Sequence, residues 1–227
     1  MPERSEPGVW VVVVARVANG AKSRLSTALD AEQRRELTLA MLSDVLAVTT
    51  HVPNILTGSL AVVDDPEAGE LAKRAGAVLV ADPTPGDMNA AVRLGLQKVH
   101  DFGAGTAIVL PGDIPLLTTD DLATLLAAAH GASRAVVIGA SRDGLGTNAL
   151  LLRPVDVIAP AFGPPSVDRH VHDGRVAGAL TRVRYDPGLA FDVDTPSDLA
   201  ALSDLTVGPC TAAFLSRSGS HRTLTFT

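Results

Sequence analysis

Residues 9–14 read VWVVVV, an uninterrupted apolar run that a loop containing Gly20 follows. Such a run, mainly β-branched and bounded by a loop, is typical of a strand that is buried on both faces. We therefore predict a central strand here. The composition agrees with a sheet covered by helices, because 46% of the residues are hydrophobic and only 3% are aromatic. The core must consist mainly of Val, Leu, Ile and Ala.

Short apolar runs and helical periodicities alternate after this strand, which favours right-handed crossovers and a largely parallel sheet. The predicted fold class is α/β, with three layers, α/β/α, around a central, mostly parallel mixed sheet. The 227 residues fit one domain with a core at about 9–205. Residues 208–227 lack a clear period, and we expect a poorly patterned, partly disordered tail. Strands are predicted at 9–14, 60–63, 77–81, 107–110, 135–140, 148–152 and 181–185, and helices from about 30, 66, 88, 118, 166 and 196, with the helix from 166 ending near 171.

Charge and cysteine content exclude several classes of protein. The net charge is −6, with 25 acidic and 19 basic residues and no long basic run, so polymeric nucleic acid is not an expected partner. The single cysteine, Cys210, excludes an intrachain disulfide framework and fits a cytoplasmic protein. The acidic, proline-containing start is unlike a signal peptide, and no early apolar run is long enough to span a membrane. We expect no membrane partner, and the sequence predicts no particular oligomeric state.

Three cations, Arg16, Lys22 and Arg24, follow the carboxyl end of the first strand. In open α/β sheets, ligands bind at that edge. Gly20 permits close approach of the backbone, while Lys22 and Arg24 suit polyphosphate oxygens. A solvated loop without a specific role is the alternative.

Carboxylates follow two later segments. Asp113 lies in a Pro-Gly turn after a buried strand, and Asp192 and Asp194 are spaced so that both face one side of an extended segment. Hard oxygen ligands on one face suit Mg²⁺. The alternatives are a turn residue at Asp113 and a helix cap at Asp194 or Thr195.

Six motifs occur in order between residue 9 and about 205: AKSRL at 21–25, DP at 82–83 with MNAA at 88–91, PGDIP at 111–115, GLGTN at 144–148, FGPPS at 162–166 and FDVDTP at 191–196. On these motifs the chain resembles the 2-phospho-L-lactate and phosphoenolpyruvate guanylyltransferases of deazaflavin coenzyme F-420 biosynthesis. The resemblance implies the glycosyltransferase-A-like nucleotidyltransferase fold. It also implies an enzyme that transfers GMP from GTP to a small phosphorylated acid and releases pyrophosphate, with Mg²⁺ as cofactor.

The same resemblance implies roles for individual residues. Arg16 stands where the family commonly has Lys, which keeps the charge but changes its reach. The implied sets are Asp113, Lys22 and Arg24 for catalysis; Asp113, Asp192 and Asp194 for metal; Arg16, Lys22, Arg24, Asn89 and Gly112 for the nucleotide; and the amides of Thr147 and Gly163 with the Ser166 hydroxyl for the acceptor.

Two other functions stay open on the sequence. One is a sugar-1-phosphate or molybdopterin-type nucleotidyltransferase of the same fold, which a GxGxR-like first loop would favour. The other is a nucleotide-binding regulator without catalysis. His170 and His172 lie two residues apart and would point to different sides of a helix, so we interpret them as surface or loosely ligand-facing residues and not as a zinc pair.

Overall fold

The computed structural model describes residues 8–18, 22–50, 52 and 56–218. Gly20, to which the sequence assigns close backbone approach, lies outside these residues. The strands are β1 Val9–Ala15, β2 Gly58–Val63, β3 Val78–Ala81, β4 Thr106–Pro111, β5 Ala135–Ala140, β6 Thr147–Arg153 and β7 Leu180–Arg184. The α-helices are α1 Ala31–Thr50, α2 Pro66–Ala75, α3 Met88–Asp101, α4 Thr119–Ala128, α5 Ser166–Val176, α6 Pro187–Ala190, α7 Pro196–Ala201 and α8 Pro209–Ser218, with short 3-10 helices at Ser23–Leu25 and Leu202–Asp204.

The strands form one sheet in the order β3-β2-β1-β4-β6-β5-β7. β1 pairs in parallel with β2 and β4, β2 with β3, and β5 with β7. β6 is antiparallel to both of its neighbours, β4 and β5. The predicted α/β class with a mostly parallel mixed sheet is therefore confirmed.

Strand β1 is buried on both faces, as its sequence predicts. Val11 and Val13 pack into a core with α1, α2 and α4, whereas Val12 and Val14 pack into a second core with α3 and α5. Because successive side chains of a strand point to opposite faces, one apolar run supplies both layers. This arrangement fixes the end of β1 in the middle of the sheet edge.

The ends of β1 and β4 lie in direct contact. Val14 is in register with Pro111, and the amide of Gly112 donates to the carbonyl of Val14 at 2.9 Å. A Cβ on residue 112 would lie only 2.7 Å from the Cβ of Ala15. Glycine is therefore needed for the chain to turn here, and the turn places Asp113 beside the loop that follows β1.

The C-terminal segment differs from the expectation. Pro209–Ser218 form helix α8, so the described part of the presumed tail is regular. Phe214 and Leu215 are buried, and Asp44 of α1 accepts hydrogen bonds from the amides of Cys210 and Thr211 at 2.9 and 2.8 Å. Ten residues with so few apolar positions give a weak periodic signal, and tertiary packing on α1 stabilises the helix.

Smaller differences concern helix lengths and one added helix. Helix α5 reaches Val176, beyond the predicted end near 171, and the four-residue α6 was not predicted. Among the described residues, no single helix is long and apolar enough to cross a membrane. The helical segments Pro196–Asp204 and Pro209–Arg217 together have the length and apolar composition of a span, but they are bent by 107° relative to each other.

Candidate active site

A cleft of about 1240 Å³ opens at the carboxyl edge of β1 and β4. Because β6 runs antiparallel to β4, its first residues reach the same edge. The cleft is thus bounded by the loops after β1, β2 and β4 and by the start of β6. Nine of the residues predicted for the site line it: Arg16, Lys22, Arg24, Gly112, Asp113, Thr147, Gly163, Asp192 and Asp194.

Lys22 lies between two carboxylates in this cleft. Its Nζ donates to Asp194 Oδ1 at 2.8 Å and forms an ion pair with Asp113. The side chain is only 8% exposed, and its backbone has a φ of 56°, which L residues rarely adopt. The structure therefore joins the first basic loop, the turn after β4 and the Asp192–Asp194 segment through one ammonium group.

The surroundings of Lys22 favour its charged form. Burial acts to lower the pKa of the ammonium, but attraction to Asp113 and Asp194, with hydrogen bonds to both, raises the pKa above its ordinary value. A cation is thus held where the two carboxylates converge.

Asp192 is partly buried and lines the cleft. Burial raises the pKa of its carboxyl, and the negative charges of Asp113 and Asp194 raise it further, while a hydrogen bond from Asn148 acts in the opposite direction. Asn148 donates to Asp192 Oδ1 and to the carbonyl of Ala190, both at 3.2 Å. Three mutually repelling carboxylates are a setting in which a bound cation is favourable.

The carboxylate oxygens of the cleft are chemically suited to bind a divalent cation. Carboxylate oxygens are the ligands that Mg²⁺ and Mn²⁺ prefer, and the ammonium of Lys22 is a stand-in cation between Asp113 and Asp194. Within residues 8–18, 22–50, 52 and 56–218, no group of three or more His, Cys, Asp or Glu is assembled as a metal site. The assignment of the three aspartates as metal ligands stays a prediction.

The two arginines of the first loop occupy different positions. Arg24 is 74% exposed, and its guanidinium lies 3.9 Å from Asp194. Arg16 donates to the carbonyl of Gly86 at 3.0 Å. Arg24 is therefore available at the mouth of the cleft, whereas Arg16 holds the segment before α3.

The chain matches the family model described as "Guanylyl transferase CofC like" over residues 9–217. The chain belongs to this guanylyl transferase family. It is 38% identical over 195 residues to a phosphoenolpyruvate guanylyltransferase of Sphaerobacter thermophilus, covering 86% of this chain and 92% of that protein. It is 39% identical over 196 residues to a phosphoenolpyruvate guanylyltransferase of Conexibacter woesei, covering 86% and 87%. The predicted resemblance is confirmed, and the CofC-like chain is a nucleotidyltransferase.

Solved structures agree with the fold. A nucleotide-diphospho-sugar transferase structure from Desulfovibrio desulfuricans has a TM-score of 0.73 at 16% identity, over 94% of this chain and 96% of that one. Rv0371c of Mycobacterium tuberculosis, in complex with manganese, has a TM-score of 0.55 at 19% identity, over 88% and 100%. At these identities the likeness shows the fold alone.

The backbone of the Asp192–Asp194 segment is held by residues that the motif analysis of this CofC-like chain did not single out. Asp198 accepts from the amides of Asp194 and Thr195 at 3.0 and 2.7 Å and pairs with Arg142. Thr195 is the N-cap of α7, which leaves the carboxylate of Asp194 for the cleft. The spacing Thr-x-x-Asp at 195–198 is a capping-box signal that could have revealed Asp198.

Asp64 was also missed. It follows β2 directly, and its Oδ1 accepts from the amides of Val17 and Ala18 at 2.8 and 3.2 Å. An aspartate at the end of a buried strand is the same signal that identified Asp113. Asp64 fixes where the first loop leaves β1.

Two predicted residues do not line the cleft. The side chain of Asn89 forms two hydrogen bonds with the backbone of Phe162. Its Oδ1 accepts from the Phe162 amide at 2.7 Å, and its Nδ2 donates to the Phe162 carbonyl at 3.1 Å. Ser166 is fully buried and donates to Thr147 Oγ1 at 2.9 Å. Both residues contact segments that line the cleft, and their direct contact with a ligand stays a prediction.

The interpretation of His170 as a surface or loosely ligand-facing residue is wrong. His170 is fully buried; its Nδ1 lies 3.1 Å from Thr147 Oγ1, and its Nε2 accepts from the amide of Ala161 at 3.0 Å. No sequence signal marks it, because the contact depends on segment 161–163 folding back over α5.

Proposed function

We propose that this protein transfers GMP from GTP to the phosphate of phosphoenolpyruvate or 2-phospho-L-lactate, with release of pyrophosphate, in the cytoplasm and as part of coenzyme F-420 biosynthesis. Membership of the guanylyl transferase family supports the transferred group, and the names of the two bacterial relatives support the acceptor. The observation that carries the proposal is the cluster in which Lys22 joins Asp113 and Asp194 at the carboxyl edge of the sheet.

The reaction needs little covalent chemistry from the protein. A phosphate oxygen of the acceptor, already ionised at neutral pH, attacks the α-phosphorus of GTP. The new oxygen–phosphorus bond forms as the bond to the bridging oxygen of pyrophosphate breaks, and the electron pair leaves with pyrophosphate. No side chain has to remove a proton. The work of the protein is therefore to bring two anions together and to hold them in line.

The cationic side chains of the cleft perform that work in this proposal. Lys22 and Arg24 attract the triphosphate, and Lys22 stands where charge develops on the leaving group. A divalent cation, Mg²⁺ in our proposal, would be held by Asp113, Asp192 and Asp194 and would supply Lewis-acid stabilisation of that charge. Arg16 and Gly112 bound the nucleotide side of the cleft.

The opposite wall suits a small anion. Gly163 has a φ of 94°, a conformation that favours glycine, and Thr147 begins β6 beside it on the cleft surface. We assign the amides of Thr147 and Gly163 to the acceptor. An acceptor bound there would meet the nucleotide over the three aspartates.

The test is to mix the protein with each nucleoside triphosphate, Mg²⁺ and each candidate acid, and to measure pyrophosphate release and the mass of the coupled diphosphate. We expect a product with GTP and phosphoenolpyruvate or 2-phospho-L-lactate, and none in excess chelator. Asp113→Asn and Asp194→Asn should each nearly abolish turnover, while Asp204→Asn, exposed and outside the cleft, serves as the matched control.

Other products would point elsewhere. A product only with a sugar 1-phosphate or a molybdopterin would assign the cleft to another nucleotidyltransferase of this fold. Nucleotide binding without any product would favour a regulator.

A further inference from the structure

His170 is a buried titratable side chain that the proposed reaction does not use. It lies on α5 and is fully buried. One ring nitrogen contacts Thr147 at the start of β6, and the other accepts from the backbone of Ala161. Thr147 lines the cleft, and Ala161 precedes the turn at Gly163, which also lines it. The imidazole thus bridges the two segments that form the acceptor wall.

The backbone contact fixes the tautomer of the ring. An amide can only donate, so Nε2, 3.0 Å from the amide nitrogen of Ala161, carries no proton. The ring proton of neutral His170 must therefore be on Nδ1. Burial, with the positive charge of neighbouring Arg169, lowers the pKa of His170 to about 4, which agrees with a neutral ring. Nδ1 consequently donates to Thr147 Oγ1, 3.1 Å away.

The hydroxyl of Thr147 then receives two hydrogen bonds. Ser166 donates to Oγ1 at 2.9 Å, and His170 donates at 3.1 Å. A hydroxyl oxygen accepts two such bonds, so the remaining hydrogen-bonding capacity of Thr147 is its own proton. Thr147 is buried and is one of the residues that line the cleft.

We propose that His170 is a positioning residue that, together with Ser166, makes the hydroxyl of Thr147 an obligate hydrogen-bond donor to an anionic oxygen of the acceptor. This rests on the proposed function, because it assigns the acceptor to the wall that Thr147 borders. It also gives the buried Ser166 hydroxyl a role, since that hydroxyl donates to Thr147 Oγ1. A wall whose hydroxyl can only donate selects for anionic oxygens and against ligands that present a donor there.

Arg169 supports the same wall from the next position of α5. Its guanidinium donates to the carbonyl of Ala161 at 2.9 Å and also to the carbonyl of Gly163. These two bonds hold segment 161–163 against α5. The amide of Ala161, which sets the tautomer of the ring, therefore lies at the start of a segment that Arg169 also fixes.

The tautomer is directly measurable in the wild type. Long-range ¹⁵N–¹H correlation of ¹⁵N-labelled protein at neutral pH separates protonated from unprotonated ring nitrogens, and the signal missing from His170→Asn identifies His170 among the six histidines. We expect a neutral ring with its proton on Nδ1. A proton on Nε2, or a charged ring, would overturn the inference.

Two substitutions separate the two bonds of the ring. Asn places a donor near the position of Nδ1, whereas Gln places a polar atom near that of Nε2. We expect His170→Gln to raise the KM for phosphoenolpyruvate by about 10-fold or more, as for loss of a hydrogen bond to a charged group, and His170→Asn to raise it less, with the KM for GTP nearly constant in both.

Thr147→Ser and Thr147→Val give a second, independent comparison. Ser keeps the hydroxyl and Val replaces it with a methyl group, so Val should raise the KM for the acceptor more than Ser does. If the wild type is active, an equal rise in the KM for the acceptor in the Asn and Gln variants, or in the Ser and Val variants, would overturn this inference and leave the proposed function intact. A wild type without turnover on any phosphorylated acid would overturn the proposed function and with it the role of Thr147.

Discussion

Asn148 donates a hydrogen bond to Asp192, with 3.2 Å between Nδ2 and Oδ1, and so links the start of β6 to the aspartate segment of the cleft. The same amide contacts the carbonyl of Ala190. Asn148 therefore orients the Asp192 carboxylate, and its hydrogen bond acts to lower a pKa that burial and the two neighbouring aspartates raise.

Asn148→Ala should lower kcat/KM by about 10-fold, because supporting contacts of this kind typically change metal affinity or activity by 10- to 100-fold. Asn148→Asp should be worse, since it adds a fourth carboxylate beside three that already repel each other. Steady-state kinetics at varied Mg²⁺ measure both. Gln97→Ala is the control, because that exposed amide contacts Asp101 outside the cleft and should leave the metal dependence unchanged. Equal metal dependence in all variants would contradict the assignment.

Lys22→Met should bind Mn²⁺ more tightly than the wild type when nucleotide is absent. The variant removes the ammonium between Asp113 and Asp194, and we expect a Kd lower by about 10-fold or more from the lost repulsion. Turnover should nevertheless fall, because the same cation is needed by the triphosphate. Electron paramagnetic resonance of free Mn²⁺ measures the Kd.

Arg24→Ala is the control for this change in Mn²⁺ affinity. Its guanidinium is 74% exposed and 3.9 Å from Asp194, so solvent screens it, and the Mn²⁺ Kd should move little. The KM for GTP should rise. Weaker Mn²⁺ binding by Lys22→Met would argue that the ammonium does not stand in for a metal ion.

Asp198→Asn should destabilise the protein at neutral pH but not in acid. Burial acts to raise the pKa of Asp198, but hydrogen bonds from Arg142 and from the amides of Asp194 and Thr195 lower it below its ordinary value. A lowered folded-state pKa contributes stability that is present above the unfolded pKa, about 4, and is lost as pH falls through the folded value. The difference in free energy of unfolding from the wild type should therefore shrink below about pH 4.

Urea denaturation at several pH values measures that difference. Asp204→Asn, on an exposed side chain, should show no comparable change between neutral and acid pH. If the difference in free energy of unfolding between Asp198→Asn and the wild type stays constant down to pH 3, the lowered pKa of Asp198 is contradicted.

Phe214→Ala should lower the free energy of unfolding by about 3–5 kcal/mol, the usual cost of truncating a buried aromatic residue. Phe214 is 1% exposed and packs with residues of α1 and α7. Phe102→Ala, at a ring that is 44% exposed, should cost much less. Equal losses in urea denaturation would mean that α8 does not contribute to the core.

Sequence patterns predicted the layers of this fold because each depends on a local periodicity. The VWVVVV run had to be buried on both faces, and the alternating pattern left few topologies. The same patterns missed α8, since a ten-residue helix of which only Thr211, Phe214 and Leu215 are buried depends on the surface of α1 and on Asp44.

The same distinction applies to the site. The sequence could predict which residues lie at the carboxyl edge of the sheet, because these residues follow predicted strands or belong to motifs: Arg16, Lys22, Asp113 and Asp194. The sequence could not predict the direction of the Lys22 ammonium or the burial of Ser166 and His170. Both depend on which groups from distant segments come into contact. Sequence spacing locates a residue along an element, whereas hydrogen-bond partners are set by folding across elements.

The third core cluster has a consequence for the order in which the molecule is completed during synthesis. Leu25 and Met41 pack with Val193 and Phe214, so the apolar side of the aspartate segment is covered by residues from both ends of the described chain. Residues near position 30 leave the ribosome many seconds before those near 214, at about 5–20 residues per second. Until α8 emerges, the cluster around Val193 lacks the apolar contacts that Phe214 provides. The apolar support of the aspartate segment is therefore completed only after α8 has been synthesised.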